Sequence, residues 1–294
     1  ATARPGSPRG LAAAIEDRLP FALTTGQQEA VAAIRADLAE PTPMQRLLHG
    51  EVGAGKTLVA LLAMATVVDS GGQAVLLAPT EVLAQQHHAS ISALLGELAH
   101  AGTLLGGEQG TQVVLLTGSA GAAARRDALL QIVSGQAGIV VGTHALRSEA
   151  VQFAELGLVV VDEQHRFGVE QRAALLDRGA GASRPHLLVM TATPIPRTVA
   201  MTVFGDLDVT TLRELPANRA GVSTFVVNES LAPRHAERTW ERVVEEVSAG
   251  RKVYVVCPRI GDGATFEPDP DLPEDLAELD FPTPESTRGV LQTA

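Results

Sequence analysis

Gly50-Glu51-Val52-Gly53-Ala54-Gly55-Lys56-Thr57 governs how the rest of the chain is read. A glycine, four residues and then Gly-Lys-Thr is the spacing of a loop that wraps phosphate. The chain holds only two lysines, Lys56 and Lys252, and one stands where the pattern demands it. The flanks agree: 46–49 reads as a short buried strand and 58–68 as an apolar helix. The glycines allow successive N–H groups to turn inward and form a nest for an anion. A helix starting near Lys56 adds its unpaired N–H groups and the positive end of its dipole. Gly50, Glu51, Val52, Gly53, Ala54, Gly55, Lys56 and Thr57 are therefore expected to hold a nucleoside triphosphate. Lys56 would sit on the outer phosphates, and Thr57 would give its hydroxyl to magnesium.

Outward from the loop, strands and helices alternate. Strand-like runs fall at 46–49, 74–78, 112–116, 139–142, 158–161 and 187–190. Helical runs fall at 11–19, 28–38, 56–69, 81–98, 121–134, 168–178 and 195–204. The strand runs are short and continuously apolar, as when both faces of a sheet are covered. This alternation predicts an α/β fold, a mostly parallel sheet with helices on both faces. Right-handed crossovers put the C-terminal strand ends on one edge, where ligands bind. After a linker at 209–221, a second α/β unit is expected to open with a strand at 222–227, a helix at 233–249 and a strand at 252–257. The pattern stops near 260. Residues 261–294 are acidic and proline-rich, with too little apolar surface to fold alone, so a disordered tail is expected.

The run Leu158-Val-Val-Val161 leads straight into Asp162-Glu163-Gln164-His165. A buried strand delivering two carboxylates at its C-terminal end suits triphosphate hydrolysis. Asp162 would hold magnesium, largely through the ion's water shell. Glu163 would orient or deprotonate the attacking water. Gln164 and His165 are candidates for coupling, although a lone histidine is more often a satisfied structural group. Thr191 and Thr193 end the next strand. They either bond the Asp-Glu segment and sense the nucleotide, or cap a helix after Pro194 and Pro196.

The net charge is −11, which at first disfavours a nucleic-acid partner. Its distribution alters that reading. Residues 261–294 carry nine Asp/Glu against one Arg, whereas residues 1–260 carry 25 acids against 22 bases. The part expected to fold is close to neutral and compatible with local phosphate contacts. Cys257 is the single cysteine, which excludes an internal disulfide and makes a reducing cytoplasm the simplest expectation. No apolar stretch opens the sequence as a secretory signal would. The longest apolar run, at 58–68, is shorter than the roughly 20 residues that span a bilayer.

These residues resemble those of superfamily 2 helicases, and more closely the RecG family of branch-migrating, ATP-dependent DNA helicases. Besides the loop, the runs that carry the resemblance are Ala78-Pro-Thr-Glu-Val-Leu-Ala-Gln-Gln-His87, Leu116-Thr-Gly-Ser119, Val141-Gly-Thr-His-Ala-Leu146, Asp162-Glu-Gln-His-Arg-Phe-Gly-Val-Glu-Gln-Arg172 and Met190-Thr-Ala-Thr-Pro-Ile-Pro-Arg-Thr198. The resemblance covers about residues 11–260. The resemblance implies a RecA-like domain of the phosphate-loop NTPase class at 21–208; before it, residues 1–20 read as a lead, flexible over 1–10, with a short helix. It implies a truncated second RecA-like domain at 222–260. It assigns Gln27 to the adenine edge of ATP, with Phe21 nearby. Pro79, Thr80 and Glu81, with Gly142, Thr143 and His144, would line a sequence-independent DNA backbone track. Their alternative is ordinary helix capping. The implied activity is Mg-ATP hydrolysis driving branch migration or unwinding of branched or forked DNA, by a monomer with no membrane attachment.

The same resemblance leads us to expect a fragment. A wedge domain that grips branched DNA and a complete second lobe carrying an arginine finger both fall outside this chain. Loss of such a finger lowers turnover by roughly 10³–10⁵, so the chain alone is expected to bind Mg-ATP weakly and hydrolyse it slowly. The competing expectations are the motor of a coupling translocase or replication-restart helicase, and a non-catalytic module that binds nucleotide or DNA.

Overall fold

The structure is a computed structural model that describes residues 1–99, 110–148, 150–162, 184–193, 207–214, 224–228 and 231–256. It divides into two compact units, Ala1–Ala220 and Gly221–Ala294. In the first unit the helices are α1 (Leu11–Arg18), α2 (Thr25–Leu38), α3 (Lys56–Asp69), α4 (Glu81–Leu95) and α5 (Ala122–Val133). The strands are β1 (Gln45–Gly50), β2 (Gln73–Leu77), β3 (Gln112–Leu116), β4 (Ala137–Gly142), β5 (Leu156–Asp162), β6 (His186–Thr191) and β7 (Asp208–Leu212). They form one sheet in the order β3-β4-β2-β5-β6-β1-β7, and every pairing is parallel. The expected α/β class and parallel sheet are therefore present.

Alternating side chains leave the two faces of the sheet. Leu48, Leu76, Val141, Leu158, Val160 and Leu188 enter one core, packed with α1, α2, α3 and α4. Leu47, Val75, Val140, Val159, Val161 and Val189 enter the other, with Ala128 and Ile132 of α5. Both faces are buried, which is why the strands read as unbroken apolar runs. The helix that leaves the phosphate loop, α3, is buried from Leu58 to Val67, so it is apolar all round and lacks a polar stripe.

Three local devices fix the N-terminal part of this unit, and the first moves an element end that periodicity misplaced. Helix α2 starts at Thr25, three residues before the apolar pattern, because Thr24 and Gln27 form a reciprocal capping box. The first turn of α1 has no side-chain cap of its own. Asp69, at the far end of α3, takes its Leu11 and Ala12 N–H groups at 2.6 and 3.2 Å. Burial, offset in part by these two bonds, pushes the Asp69 carboxyl above its ordinary range. Third, the first ten residues are not the flexible lead that was expected. Arg4 is buried, gives its backbone N–H to Leu38 O at 2.5 Å, and pairs with Glu155 at 2.5 Å.

A further correction concerns the linker expected at 209–221. Asp208–Leu212 is the edge strand β7, in parallel register with Arg46–Gly50. Its Asp-Val-Thr-Thr-Leu sequence is half exposed, so it lacks the continuous apolar signature of the inner strands. In the second unit the expected helix is present as α6 (Pro233–Ser248). In the described parts of the flanking runs expected as strands, 224–227 and 252–256, no strand is found. A strand exists only by pairing, and no strand of this unit is found among the described residues. The helices expected at 168–178 and 195–204, Cys257 and the tail at 261–294 lie outside the described residues.

Candidate functional site

Strand β1 ends at Gly50, and the loop then turns through Gly53 and Gly55, whose φ angles are 87° and 86°. That left-handed region suits glycine. At Gly55 the requirement is double, since a Cβ there would overlap the side-chain amide of Gln27. Helix α3 begins on the next residue, Lys56. The Lys56 ammonium donates to the carbonyls of Gly50 at 2.6 Å and Glu51 at 3.0 Å. Ala54 is buried, while Glu51 and Val52 are exposed and Thr57 is half-buried.

Gln27 ties α2 to this loop. Its Oε1 accepts from Thr24 N–H at 3.0 Å, and its Nε2 donates to Ala54 O at 2.9 Å. A primary amide has two N–H donors and two acceptor lone pairs. One of each remains for a ligand. Phe21, expected near the base, is half exposed.

Strand β5 is buried along its whole length and delivers Asp162 at its C-terminal end. Asp162 stands opposite Met190 of β6, and His49 stands opposite Thr191. Only β6 lies between Asp162 and the strand that feeds the loop, so the two are about 10 Å apart across the sheet. Asp162 Oδ2 meets His87 Nε2 at 2.7 Å, with both side chains close to nine-tenths buried. His87 comes from α4 and had no role in the sequence reading. The Thr191 hydroxyl is 2.9 Å from that of Thr193 and accepts the Thr193 N–H at 3.2 Å. This pairing closes a local turn, and the partners that either alternative for these threonines needs lie outside the described residues. Glu163, Gln164 and His165 lie outside the described residues.

The ends of β2, β4 and β3 form the other half of the same edge. Thr80 caps α4, accepting from Leu83 N–H at 3.3 Å. Glu81 Oε1 accepts the Ser119 N–H at 3.0 Å and its Oε2 accepts the Ser119 hydroxyl at 2.5 Å. These bonds, the hydroxyl first, hold the Glu81 carboxyl below the usual carboxylate range, and His144 adds a charge contribution. Segments after three different strands thus meet: Pro79–Glu81, Thr117–Ser119 and Gly142–His144. Ser119 belongs to a quoted run but was not singled out. Gly142 is a point of close approach, where a Cβ would overlap the Leu116 carbonyl oxygen. The Thr143 hydroxyl corrects the expected DNA track. It is buried and unpartnered, so its side chain does not line the edge, whereas His144 is exposed.

Comparison with known proteins gives these features a context. The DEAD/DEAH box helicase family matches residues 24–202. The ATP-dependent DNA helicase RecG of Mycobacterium bovis is 56% identical over 253 residues, covering 86% of this chain and 34% of that protein. The protein of the same name from Synechocystis is 45% identical over 251 residues, covering 85% of this chain and 28% of that protein. This chain therefore spans about a third of the length of these relatives. A solved structure of RecG bound to a three-way DNA junction superposes with a TM-score of 0.67 at 37% identity, over 82% of this chain and 30% of that one. The yeast DEAD-box splicing factor Prp28 shares the fold, with a TM-score of 0.53 at 17% identity, over 83% of this chain and 62% of that one.

Proposed function

This chain belongs to the DEAD/DEAH box helicase family, and from that premise we propose that it is the first motor lobe of a RecG-type DNA helicase. Its sheet edge carries a phosphate loop and a buried strand-end carboxylate two strands away, and this observation supports ATP hydrolysis as the chemistry. The loop N–H groups between Gly50 and Thr57, with the N-terminal dipole of α3, bind the phosphates. Lys56 leaves the carbonyls of Gly50 and Glu51 for the outer phosphate oxygens. Gln27 keeps its bond to Ala54 and reads adenine with its remaining N–H and lone pair. Phe21 shields the base from one side.

The donors next to the phosphates are the Thr57 hydroxyl and the Asp162 carboxylate. One carboxylate, a hydroxyl and substrate phosphates are the oxygen set that magnesium takes, in place of an all-protein cage. When bound there, magnesium neutralises charge that develops on the transferred phosphoryl group. Glu163, the next residue, orients or deprotonates the water, while Gln164, His165, Thr191 and Thr193 relay nucleotide state. At the other half of the edge, Pro79, Thr80, Glu81, Gly142 and His144 follow the DNA backbone, largely through main-chain groups. Contacts of that kind are independent of sequence and suit a motor on branched or forked DNA.

A monomer acting in the cytoplasm completes this reading. No helix among the described residues is long and apolar enough to cross a membrane.

Binding of a fluorescent ATP analogue to the chain and to Lys56→Ala tests the nucleotide half. A hydrogen bond to a charged group contributes about 1.5–3 kcal/mol, so Lys56→Ala is expected to weaken binding about 10- to 100-fold. Equal affinity in both proteins would contradict the proposal. Turnover with and without forked DNA separates a slow motor lobe from a module that binds without hydrolysis. Slow, DNA-responsive turnover that Lys56→Ala abolishes supports the motor.

A further inference from the structure

Helix α4 packs Ala84, Ile91 and Leu95 into the core. His87 lies three residues after Ala84 and four before Ile91, so it belongs to the same inward face of the helix. A histidine on such a face needs a polar partner, because a buried polar group without one is costly. Its partner is Asp162, with Nε2 2.7 Å from Oδ2. An ionised carboxylate can only accept, so His87 supplies the proton of this bond. One carboxylate oxygen is thereby fixed, and the other is left for a ligand.

We propose that His87 is a positioning residue. It holds the Asp162 carboxylate in the orientation that receives the magnesium of a bound nucleotide, and so sets how much magnesium nucleotide binding requires. The inference rests on the proposed role of Asp162 as the magnesium-side carboxylate. Outer partners that orient metal-binding carboxylates typically change metal affinity 10- to 100-fold when removed. The residue also ties the two halves of the edge together. It sits six residues, about 9 Å of helix axis, beyond Glu81, which meets Ser119.

The test is equilibrium binding of a fluorescent ATP analogue, titrated with Mg²⁺ and repeated in EDTA, for the unaltered chain, His87→Ala, His87→Gln and Asp162→Asn. Circular dichroism establishes that each variant is folded. His87→Ala is expected to raise the Mg²⁺ midpoint about tenfold or more, leaving binding in EDTA unchanged. His87→Gln, whose amide can still donate to the carboxylate, is expected to recover most of that loss. A loss confined to folding would not give this split. A midpoint that stays within about twofold in His87→Ala while Asp162→Asn shifts it would overturn the positioning role alone. An Asp162→Asn protein with an unshifted midpoint would overturn the role of Asp162, and the inference with it.

Discussion

The two halves of the sheet edge hold their polar groups in different ways. At the end of β1, the Lys56 and Gln27 side chains proposed to meet a nucleotide rest on the loop's own backbone, while Asp162 of β5 is held by His87. Lys56 lies on the carbonyls of Gly50 and Glu51, and Gln27 on that of Ala54. On the proposed reading, the Lys56 side chain swings for a phosphate to enter. At β2, β4 and β3 the hydroxyls are already bonded or buried. Thr80 caps a helix, Ser119 is held by Glu81, and Thr143 is buried without a partner. The first half is the cradle that we propose for an anion. The second is a rigid meeting of three strand ends that offers mainly backbone and the exposed His144. Motif spacing thus reports which backbone segments gather, and says less about which side chains face outward.

The largest expected effect comes from adding one methyl group to each half. In Gly142→Ala the methyl would overlap the Leu116 carbonyl oxygen, which is fixed backbone. Overpacking of that kind costs about 3 kcal/mol. Gly53→Ala meets open space and has only the left-handed strain to bear, about 1–2 kcal/mol. Urea unfolding of both variants should rank Gly142→Ala as clearly the less stable. Equal losses would remove the contrast between a rigid half and an open one.

An intermediate effect is expected at the opposite edge, where β6 begins. His186 Nδ1 accepts the Met44 N–H at 3.0 Å, and its Nε2 therefore donates to Thr2 O at 3.2 Å. One acceptor and one donor describe the neutral ring. Burial is the main cause that pushes its pKa below the ordinary value. The unfolded ring titrates near about 6.5. Below that pH the unfolded state binds the extra proton, so the contribution is whole above about 6.5 and is lost as pH falls through the folded pKa. Between pH 7.5 and 5.5 the chain should lose more stability than His186→Asn does, with nucleotide affinity at neutral pH little changed. Parallel losses in the two proteins would place the titrating group elsewhere.

The smallest expected effect is also the most selective. Thr143→Val replaces a buried, unpartnered hydroxyl with a methyl group of similar size. An unpaired buried hydroxyl costs about 1–3 kcal/mol, so stability should hold or rise, and affinity for forked DNA should stay unchanged. A fall in DNA affinity would restore the Thr143 side chain to the track.

The sequence reading reached the sheet because the inner strands are apolar on both faces. Strand 112–116 and helix 56–69 were placed without error. It missed β7, whose Asp-Val-Thr-Thr-Leu run is half exposed at an edge and carries neither an apolar run nor a clean alternation. In the described parts of the runs at 222–227 and 252–257, the expected strands failed for the converse reason: apolar, β-branched composition suits a strand, but pairing makes one. At the site, the loop was legible since its glycines and lysine follow fixed spacing. His87 was not assigned, although its place on the inward face of α4 was a readable signal that a partner must exist. That the partner is Asp162, 75 residues away, follows only from how α4 lies over the sheet. Ser119 and the buried Thr143 depended in the same way on how β3 and β4 lie together.

The central claim is that one sheet edge serves nucleotide at its β1 and β5 half and DNA at its β2, β4 and β3 half. Amide hydrogen exchange on the chain, with a non-hydrolysable ATP analogue and Mg²⁺ or with forked DNA, tests it directly. The nucleotide should slow exchange at 50–58. DNA should slow it at 80–83, 117–119 and 142–146. A DNA footprint that leaves these three segments unchanged, or a nucleotide footprint centred on them, would contradict the account.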